Sequence, residues 1–280
     1  VEQVIAGKVA GKVSPSILSS KGSVIRIDAN HGFAFPAISL ALSEITKTCK
    51  SFGIAAASIS RSHHFGQAGR HVERLAEDGL IGLMFGNTPK AIPPWGGTQA
   101  LFGTNPIAFA SPRDSAAPLV IDMSLSKVAR GKVMVANQLN EKIPEDWAID
   151  RDGKPTTDAK KALEGAMLPI GDAKGSALAL MVEVLAAGLT GSNFGFEASS
   201  FLNAEGDAPG VGQLIIAIDP SFFSGESFGE RTETLVGAVL EQPGTRLPGD
   251  KRIEKRKVRE KSETITISKD LYEKIELLIS

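Results

Sequence analysis

Apolar positions recur along the chain at two different spacings, and the change from one to the other predicts a succession of strands and helices. Short alternating or continuous apolar runs predict strands at 23–28, 54–60, 80–85, 107–110, 119–122 and 214–219. Apolar residues at helical spacing predict helices at 2–12, 36–49, 67–78, 126–138, 173–190, 229–241 and 269–279. Strands and helices alternate without a repeat, which predicts a layered α/β fold around a sheet of mixed direction.

Two segments interrupt this pattern. Residues 139–166 are polar and rich in turn residues, and a connection of that length often covers a ligand. Residues 245–252, with the sequence TRLPGDKR, are predicted to form a basic loop, and the mixed-charge run after it reads as a solvated surface. Since no Pro/Gly/Ser-rich linker divides the chain, we expect any second, smaller domain to be built from both chain ends.

Composition and charge narrow the class of protein. A hydrophobic fraction of 42% allows a large core, and a net charge of −1 argues against a nucleic-acid or membrane-surface partner. The longest apolar stretch, 176–189, contains Glu183 and is too short to span a bilayer. The single cysteine, Cys49, excludes an internal disulfide and fits a reducing compartment, so we expect a cytoplasmic protein.

The segment RSHHFGQAG at 61–69 carries the first candidate for chemistry. It places His63 and His64 between an apolar strand and a glycine-spaced helix start, and histidine exchanges protons near neutral pH. The segment predicts a proton donor beside a bound ligand, or else a surface turn or a buried structural pair. A metal-dependent hydrolase that uses His63, His64 and His71 is a further alternative, although we expect no metal site.

Four other segments carry polar groups that could hold an anionic ligand, whereas a G-x-G-x-x-G dinucleotide fingerprint is absent. Thr104 precedes an extended Asn-Pro pair, and Asp122 ends a predicted strand, with Ser124 as a candidate helix cap. Lys174 lies at a helix N-terminus, where a cation is unfavourable, and the basic segment Arg246–Arg252 suits phosphate groups. Each also has a structural interpretation as a turn, a cap or a surface loop.

Together these segments resemble the type-2 malate/lactate dehydrogenase family, which includes sulfolactate and ureidoglycolate dehydrogenases and the reductases of Δ1-piperideine-2-carboxylate and Δ1-pyrroline-2-carboxylate. The resemblance covers nearly the whole chain, through SHHFGQAG, PPWGG, GTNPIAFASP, VIDMSLSKVARGK, IPEDWAIDRDGKPTTD, LPIGDAKG, LAAGLTG, GQLIIAIDP and RLPGD in that order. It implies a three-layer α/β/α fold around a mixed sheet, not a Rossmann fold. It also implies an extended cleft for NAD or NADP and a homodimer.

The resemblance implies roles for particular residues. His64 corresponds to the acid/base residue of the hydroxy acid members, and Thr104 to a substrate contact. The implied cofactor contacts are His64, Phe65, Gly66, Gln67, Ala68, Thr88, Asp122, Met123, Ser124, Lys174, Arg246, Asp250, Lys251 and Arg252. Residues 56–219 would form the NAD(P)-binding domain, and residues 1–55 with 220–280 a terminal, helical dimerisation region.

Family members also carry a Ser-His-Gly-x-x-Arg segment, whose His donates a proton in the imine reductases and whose Arg binds the substrate carboxylate. The sequence starts just after the place of this segment. We expect the segment to belong to the full protein, because the other motifs are intact. Without it, the protein would be an inactive nicotinamide-binding remnant.

The sequence thus predicts an NAD(P)H-dependent oxidoreductase that reduces the C=N or C=O next to a carboxylate by hydride transfer. Residues 28–34 and 171–177 resemble the cyclic imine reductases, so a cyclic 2-imino acid is the preferred substrate and a malate/lactate-type 2-oxo acid the alternative. The basic segment is compatible with the 2′-phosphate of NADP, which favours NADPH over NADH. Pyrophosphate would use the same residues, and the choice of cofactor stays open.

Overall fold

The computed structural model describes residues 1–114, 116–262 and 264–279 of the chain. The strands are β1 (Ser16–Lys21), β2 (Val24–Asp28), β3 (Ile54–Ser62), β4 (Ile81–Gly86), β5 (Ile107–Ser111), β6 (Leu119–Met123), β7 (Ala148–Ile149), β8 (Ala166–Met167) and β9 (Val211–Ile218). The helices are α1 (Glu2–Ile5), α2 (Ala34–Phe52), α3 (Ala68–Glu77), α4 (Arg130–Gln138), α5 (Ala159–Glu164), α6 (Ala173–Val182), α7 (Ser221–Ser224), α8 (Ser227–Leu240), α9 (Asp250–Ser262) and α10 (Lys269–Ile279). A 3₁₀ turn lies at Glu145–Trp147, and α6 continues as a π-helix over Glu183–Gly188.

Seven strands form one sheet in the order β1-β2-β3-β9-β4-β5-β6. β2 and β3 run parallel, and the other neighbouring pairs in this sheet are antiparallel. β9 lies between β3 and β4, although it follows both of them by a long stretch of chain. The predicted mixed α/β fold is confirmed, and its strand order differs from that of the parallel Rossmann sheet.

A separate hydrophobic cluster covers each face of the sheet, because successive strand residues point to opposite sides. On one face, Ile38 of α2 and Val72 of α3 are fully buried against the strands. On the other face, Phe85 of β4 and Leu214 of β9 belong to the same cluster as Val182 of α6. The sheet is therefore the middle one of three layers.

The chain divides into two compact units. The first, Val1–Leu235, contains the seven-stranded sheet, the small β7–β8 sheet and the helices up to α7. The second starts at Val236 and comprises the end of α8 together with α9 and α10. The expected division into 56–219 and a dimerisation region of 1–55 with 220–280 stays a prediction.

Most predicted elements lie within three residues of the observed ones, but the end of one predicted helix and the start of another are wrong. The helix expected over 2–12 ends at Ile5, because Gly7 adopts the left-handed conformation with φ of 77° and the chain turns away. The helix expected from 126 begins only at Arg130, since the Ser126 hydroxyl donates to the carbonyl of Val128. Ser124 is therefore not a helix cap, and its hydroxyl lies 3.2 Å from that of Ser126.

Two further expectations need correction. Asp250, Lys251 and Arg252 lie on α9 and not in a loop. The Asp250 carboxylate stabilises the start of that helix by accepting a hydrogen bond of 2.8 Å from the backbone N–H of Leu247. The helix expected to be buried over 173–190 is buried on one side only, since Leu180 and Val184 are more than half exposed.

Candidate functional site

A cavity of about 510 Å³ lies where the segments after β3 and β4, the start of β5 and the N-terminal end of α4 meet. Three of its lining residues, His64, Thr88 and Thr104, are ones that the sequence predicts as site residues. Arg130 and Phe201 line it as well. The fold thus brings together residues that lie far apart in the sequence, and the cavity is the candidate active site.

His64 presents a neutral imidazole to this cavity. The backbone N–H of Gly66 donates a 3.0 Å hydrogen bond to its Nδ1, so the proton of the neutral ring is assigned to Nε2. Gly66 has a φ of 71°, a left-handed conformation that suits glycine. Desolvation by the surrounding protein lowers the pKa of His64, although its side chain is exposed to the cavity. In this tautomer the ring presents an N–H donor at Nε2 to the cavity, and a proton can be exchanged at Nε2 only when Nδ1 carries a proton and the bond from Gly66 is released.

His63 is a different kind of residue from its neighbour. It is buried, and its Nε2 lies 2.6 Å from the side-chain oxygen of Gln3, which makes that nitrogen the donor. Burial, and after it the positive charges of His64 and Lys8, lower the pKa of His63 to about 4. His63 is thus a neutral structural residue near pH 7, in agreement with one of the interpretations of the His63–His64 pair.

A segment from the far part of the chain covers both histidines. The ring of Phe201 lies 4.9 Å from that of His63 and 5.3 Å from that of His64, measured between centroids. The buried Lys8 ammonium donates to the carbonyl oxygens of Ser200 and Asn203, at 2.8 and 3.1 Å. The N-terminal residues therefore hold the Phe201 segment, residues 200–203, against the candidate acid/base group.

Two threonine side chains lie together on the cavity wall. The Thr88 hydroxyl oxygen accepts a 2.9 Å hydrogen bond from the backbone N–H of Thr104, and the two hydroxyl oxygens lie 3.3 Å apart. Since each hydroxyl can both donate and accept, the pair can orient a carboxylate or a carbonyl oxygen.

A buried carboxylate organises the chain around these threonines. Glu183, the first residue of the π-helix, accepts hydrogen bonds from the backbone N–H of Gly103 at 3.1 Å and of Gly195 at 3.0 Å. The side-chain amides of Asn105 and Asn87 also donate to it, at 2.9 and 3.4 Å. π-helical turns often occur at functional sites, and this one fixes the turn that presents Thr104.

Arg130 brings a positive charge to the cavity. Its guanidinium donates to the carbonyl oxygens of Lys90 and Leu163, at 3.4 and 3.3 Å, while its buried Nε has no hydrogen-bond partner. Within the described ranges no carboxylate pairs with it. Partial burial lowers the pKa of this arginine through desolvation.

The other residues predicted to contact the cofactor lie outside the cavity lining. Asp122 accepts a 2.8 Å hydrogen bond from the backbone N–H of Gly69, so it caps the start of α3. Lys174 is exposed near the start of α6, where it was expected. Among the rest, Met123 is exposed, Phe65 and Ala68 are buried in the core, and Arg246, Asp250, Lys251 and Arg252 belong to the second unit. Their cofactor roles stay predictions.

Among the residues that the structure describes, no group of three or more His, Cys, Asp or Glu side chains is arranged to bind a metal ion. No helix in the same ranges has the length and apolar character that crossing a membrane requires.

The sequence patterns missed three residues that form this site. Arg130 lies inside a helix predicted from 126, so nothing distinguished it from a surface cation. Glu183 interrupts an apolar run, and that position was its only signal. Phe201 lies in an irregular segment with no periodic pattern, and no sequence signal could have placed it beside the histidines.

Comparison with known proteins identifies related chains. A family model described as malate/L-lactate dehydrogenase matches residues 1–276. The (2R)-3-sulfolactate dehydrogenase (NADP(+)) of Chromohalobacter salexigens is 52% identical over 98% of this chain and 81% of its own. The Δ1-pyrroline-2-carboxylate/Δ1-piperideine-2-carboxylate reductase of Pseudomonas putida is 40% identical over 99% and 82%. The crystal structure of Δ1-piperideine-2-carboxylate reductase from Pseudomonas syringae superposes with a TM-score of 0.92 at 40% identity, covering 99% of this chain and 83% of that one.

Proposed function

This chain belongs to the malate/L-lactate dehydrogenase family, and from that premise we propose that it transfers hydride between a nicotinamide cofactor and the carbon next to a carboxylate. The protein is an NAD(P)-dependent oxidoreductase. The observation that carries the proposal is the cavity shared by His64, Thr88 and Thr104. A protonatable ring beside two hydroxyl groups suits a substrate whose oxygen or nitrogen gains a proton as its carbon gains hydride.

The roles of this chain's residues follow from their geometry. A bound NADPH or NADH supplies the hydride, and the protein supplies orientation and a proton. His64 Nε2–H donates a hydrogen bond to the substrate oxygen and stabilises the negative charge that develops there during reduction. For full proton transfer, the ring releases the bond from Gly66 and carries a proton on Nδ1: the imidazolium then gives its Nε2 proton to the oxygen during reduction, and the neutral Nδ1–H ring takes the hydroxyl proton at Nε2 during oxidation. Thr104 orients the carboxylate. Desolvation by the protein lowers the pKa of His64, which keeps the ring neutral near pH 7.

As substrate pair we propose a 2-oxo acid and its 2-hydroxy acid, ahead of the cyclic imines that the segments at 28–34 and 171–177 favoured. The sulfolactate dehydrogenase relative shares more identity with this chain than the imine reductase relative does. Cyclic imine reduction stays the second candidate, because of the similarity to a reductase structure along nearly the whole chain. NADPH is the preferred cofactor, since the sulfolactate relative is named as an NADP(+) enzyme.

Further expectations from the sequence belong to this proposal. They are a homodimer, a location in the cytoplasm, and cofactor contacts that include Gly66, Gln67, Asp122, Met123, Ser124, Lys174 and the segment 246–252. The free, buried Cys49 fits a reducing compartment. Sedimentation of the purified protein measures the oligomeric state, and a monomer at micromolar concentration would contradict the dimer.

The experiment that tests the proposal measures oxidation of NADPH and NADH by the full-length protein. Sulfopyruvate, oxaloacetate, pyruvate, Δ1-piperideine-2-carboxylate and Δ1-pyrroline-2-carboxylate are offered in parallel. We expect turnover of 2-oxo acids, faster with NADPH. Turnover of the cyclic imines alone would assign the second candidate. Binding of nicotinamide without turnover of any of the five would refute both candidate substrate classes and leave an untested substrate or an inactive binding protein as the alternatives.

A further inference from the structure

We propose that Arg130 binds a second acid group of the substrate, a carboxylate or sulfonate on the carbon next to the reacting one. This contact makes the protein prefer substrates with two acid groups over those with one. The inference rests on the proposed function and narrows its substrate class.

The first argument is the unsatisfied hydrogen bonding of Arg130. A guanidinium has five N–H donors, and the two protein contacts of this one, to Lys90 and Leu163, are long and go to neutral carbonyl oxygens. Its Nε is buried and has no partner. A charged donor that lacks an acceptor is unfavourable, and an anionic oxygen of a ligand would bind the terminal N–H groups that the two long contacts leave free.

The second argument is the charge of the cavity. Lys90 also lines it, and no Asp or Glu is among the described residues of its wall. The described lining therefore includes two cationic residues and no Asp or Glu to compensate their charge. A planar guanidinium in such surroundings binds a carboxylate or sulfonate through paired hydrogen bonds.

The third argument distinguishes the substrate from the cofactor as the source of the anion. Arg130 shares the cavity with His64 and Thr104, the candidate acid/base residue and substrate contact. Of the predicted cofactor contacts, His64 and Thr88 line the cavity, whereas Asp122 and Lys174 do not. An acid group of the substrate, held near the reacting carbon, therefore fits Arg130 better than a phosphate group of the cofactor.

The test compares Arg130→Met and Arg130→Lys with the wild-type protein and with Lys161→Gln, an exposed cation on α5 that serves as the charge control. Sulfopyruvate and oxaloacetate represent substrates with two acid groups, and pyruvate one. We expect Arg130→Met to lower kcat/KM for the two-acid substrates on the order of 100-fold or more, and for pyruvate by less than about 10-fold. Arg130→Lys should recover part of the loss, and Lys161→Gln should behave as wild type.

Three outcomes would overturn the inference. An equal loss for one-acid and two-acid substrates would mean that Arg130 acts on a feature they share. A loss seen with NADPH and absent with NADH would assign Arg130 to the 2′-phosphate of the cofactor. Equal kcat/KM of the wild-type protein for one-acid and two-acid substrates would show that the preference assigned to Arg130 does not exist.

Calorimetry separates the failure of this inference from the failure of the proposed function. The wild-type protein saturated with NADP⁺ is titrated with sulfolactate and with lactate, and Arg130→Met is titrated in the same way. We expect sulfolactate binding to depend on Arg130 even if hydride transfer fails. Equal binding of sulfolactate by wild type and variant, or no binding by either, would refute the inference without reference to turnover. A circular dichroism melt of each variant checks that the fold is retained.

Discussion

Two adjacent histidines of this chain perform different tasks because their surroundings differ. His63 is enclosed by aromatic rings and donates to Gln3, so it is structural. The ring of His64 faces the cavity, and a backbone N–H fixes its tautomer. The sequence alone places both beside a turn, and only the packing of Phe201 and the N-terminal residues separates their roles.

The stability of the protein should depend on pH through His63. The unfolded chain protonates this residue near its ordinary pKa of 6.5, whereas the folded protein resists protonation until about pH 4. The unfolded state therefore binds more protons between these values. The free energy of unfolding is retained above about pH 6.5 and falls as the pH is lowered towards 4, by on the order of 3 kcal/mol at most.

Urea titrations of the wild-type protein and of His63→Gln over this pH range measure the effect. Glutamine keeps a donor for the side chain of Gln3 but does not titrate. We expect the variant to lose less stability on acidification than the wild type. The same pH dependence in both proteins would show that the effect arises from other groups.

At the scale of single residues, the sequence identifies side chains that stand in an informative local motif. It misses side chains whose role depends on their neighbours in three dimensions. His64 and Thr104 were found because a histidine before a glycine-spaced segment and a threonine before Asn-Pro are informative patterns. Arg130 was missed, since its importance lies in a buried Nε without a hydrogen-bond partner, which is a property of three-dimensional packing.

At the scale of elements, hydrogen bonds from the N-terminal residues Gln3 and Lys8 hold the Phe201 segment beside the site. The buried Lys8 ammonium donates to oxygen acceptors of residues 200 and 203. Lys8→Met keeps the apolar stem and removes these charged hydrogen bonds, which we expect to cost about 1 to 3 kcal/mol. Hydrogen exchange of the backbone amides in 199–203 should become at least about tenfold faster.

Lys12→Met is the matched control for this change, because Lys12 is exposed on the same segment. It should leave exchange in 199–203 unchanged. If Lys8→Met also leaves hydrogen exchange in 199–203 unchanged, the position of the Phe201 segment does not depend on the ammonium group.

The π-helical turn should be sensitive to a change that preserves its volume. Each carboxylate oxygen of Glu183 accepts two hydrogen bonds, so the amide of Glu183→Gln would direct N–H groups against two donors. We expect a loss of about 2 to 4 kcal/mol in the free energy of unfolding. We also expect a raised KM, because the turn that carries Thr104 loses its anchor.

Chemical denaturation and steady-state kinetics measure both effects. Glu141→Gln, at an exposed position, is the control and should resemble wild type. Wild-type stability in Glu183→Gln would mean that the network tolerates an amide, contrary to this account.

Comparison of the predicted and observed element boundaries shows which elements apolar spacing alone can predict. Helices with one buried face, such as Ala34–Phe52, were predicted to within three residues. β1, at Ser16–Lys21, was not predicted, because it is an edge strand whose side chains are mostly exposed and carry no apolar alternation. Gly7 and Ser126 moved predicted helix ends through backbone conformation and local hydrogen bonding, which apolar spacing does not report.

At the scale of the whole molecule, binding of the cofactor should raise the melting temperature. A ligand present at about 100 times its Kd stabilises the folded state by roughly 3 kcal/mol. For a chain of this size that corresponds to an increase of about 5 to 10 °C. We expect NADPH to produce it in a thermal shift assay, and NADH at the same concentration to produce less. No increase at saturating NADPH would contradict the choice of cofactor.

The sheet class could be predicted from the sequence, but its strand order could not. Alternating strands and helices indicate a layered α/β fold whatever the pairing. The insertion of β9 between β3 and β4 depends on pairs such as Ala57 with Ile215, whose partners are far apart in the chain. Apolar periodicity describes the faces of a strand and carries no information about its neighbours.

The late position of β9 in the sequence also sets the order in which the protein can fold as it is synthesised. Until residues 211–218 leave the ribosome, β3 and β4 each lack one of the two neighbours that they have in the native sheet. Unpaired strand edges of this kind recruit other chains, and long-range pairings form slowly. The nascent chain is therefore most prone to aggregation after most of its core residues have been made, and its yield in cells should depend on chaperones that shield those edges until the central strand arrives.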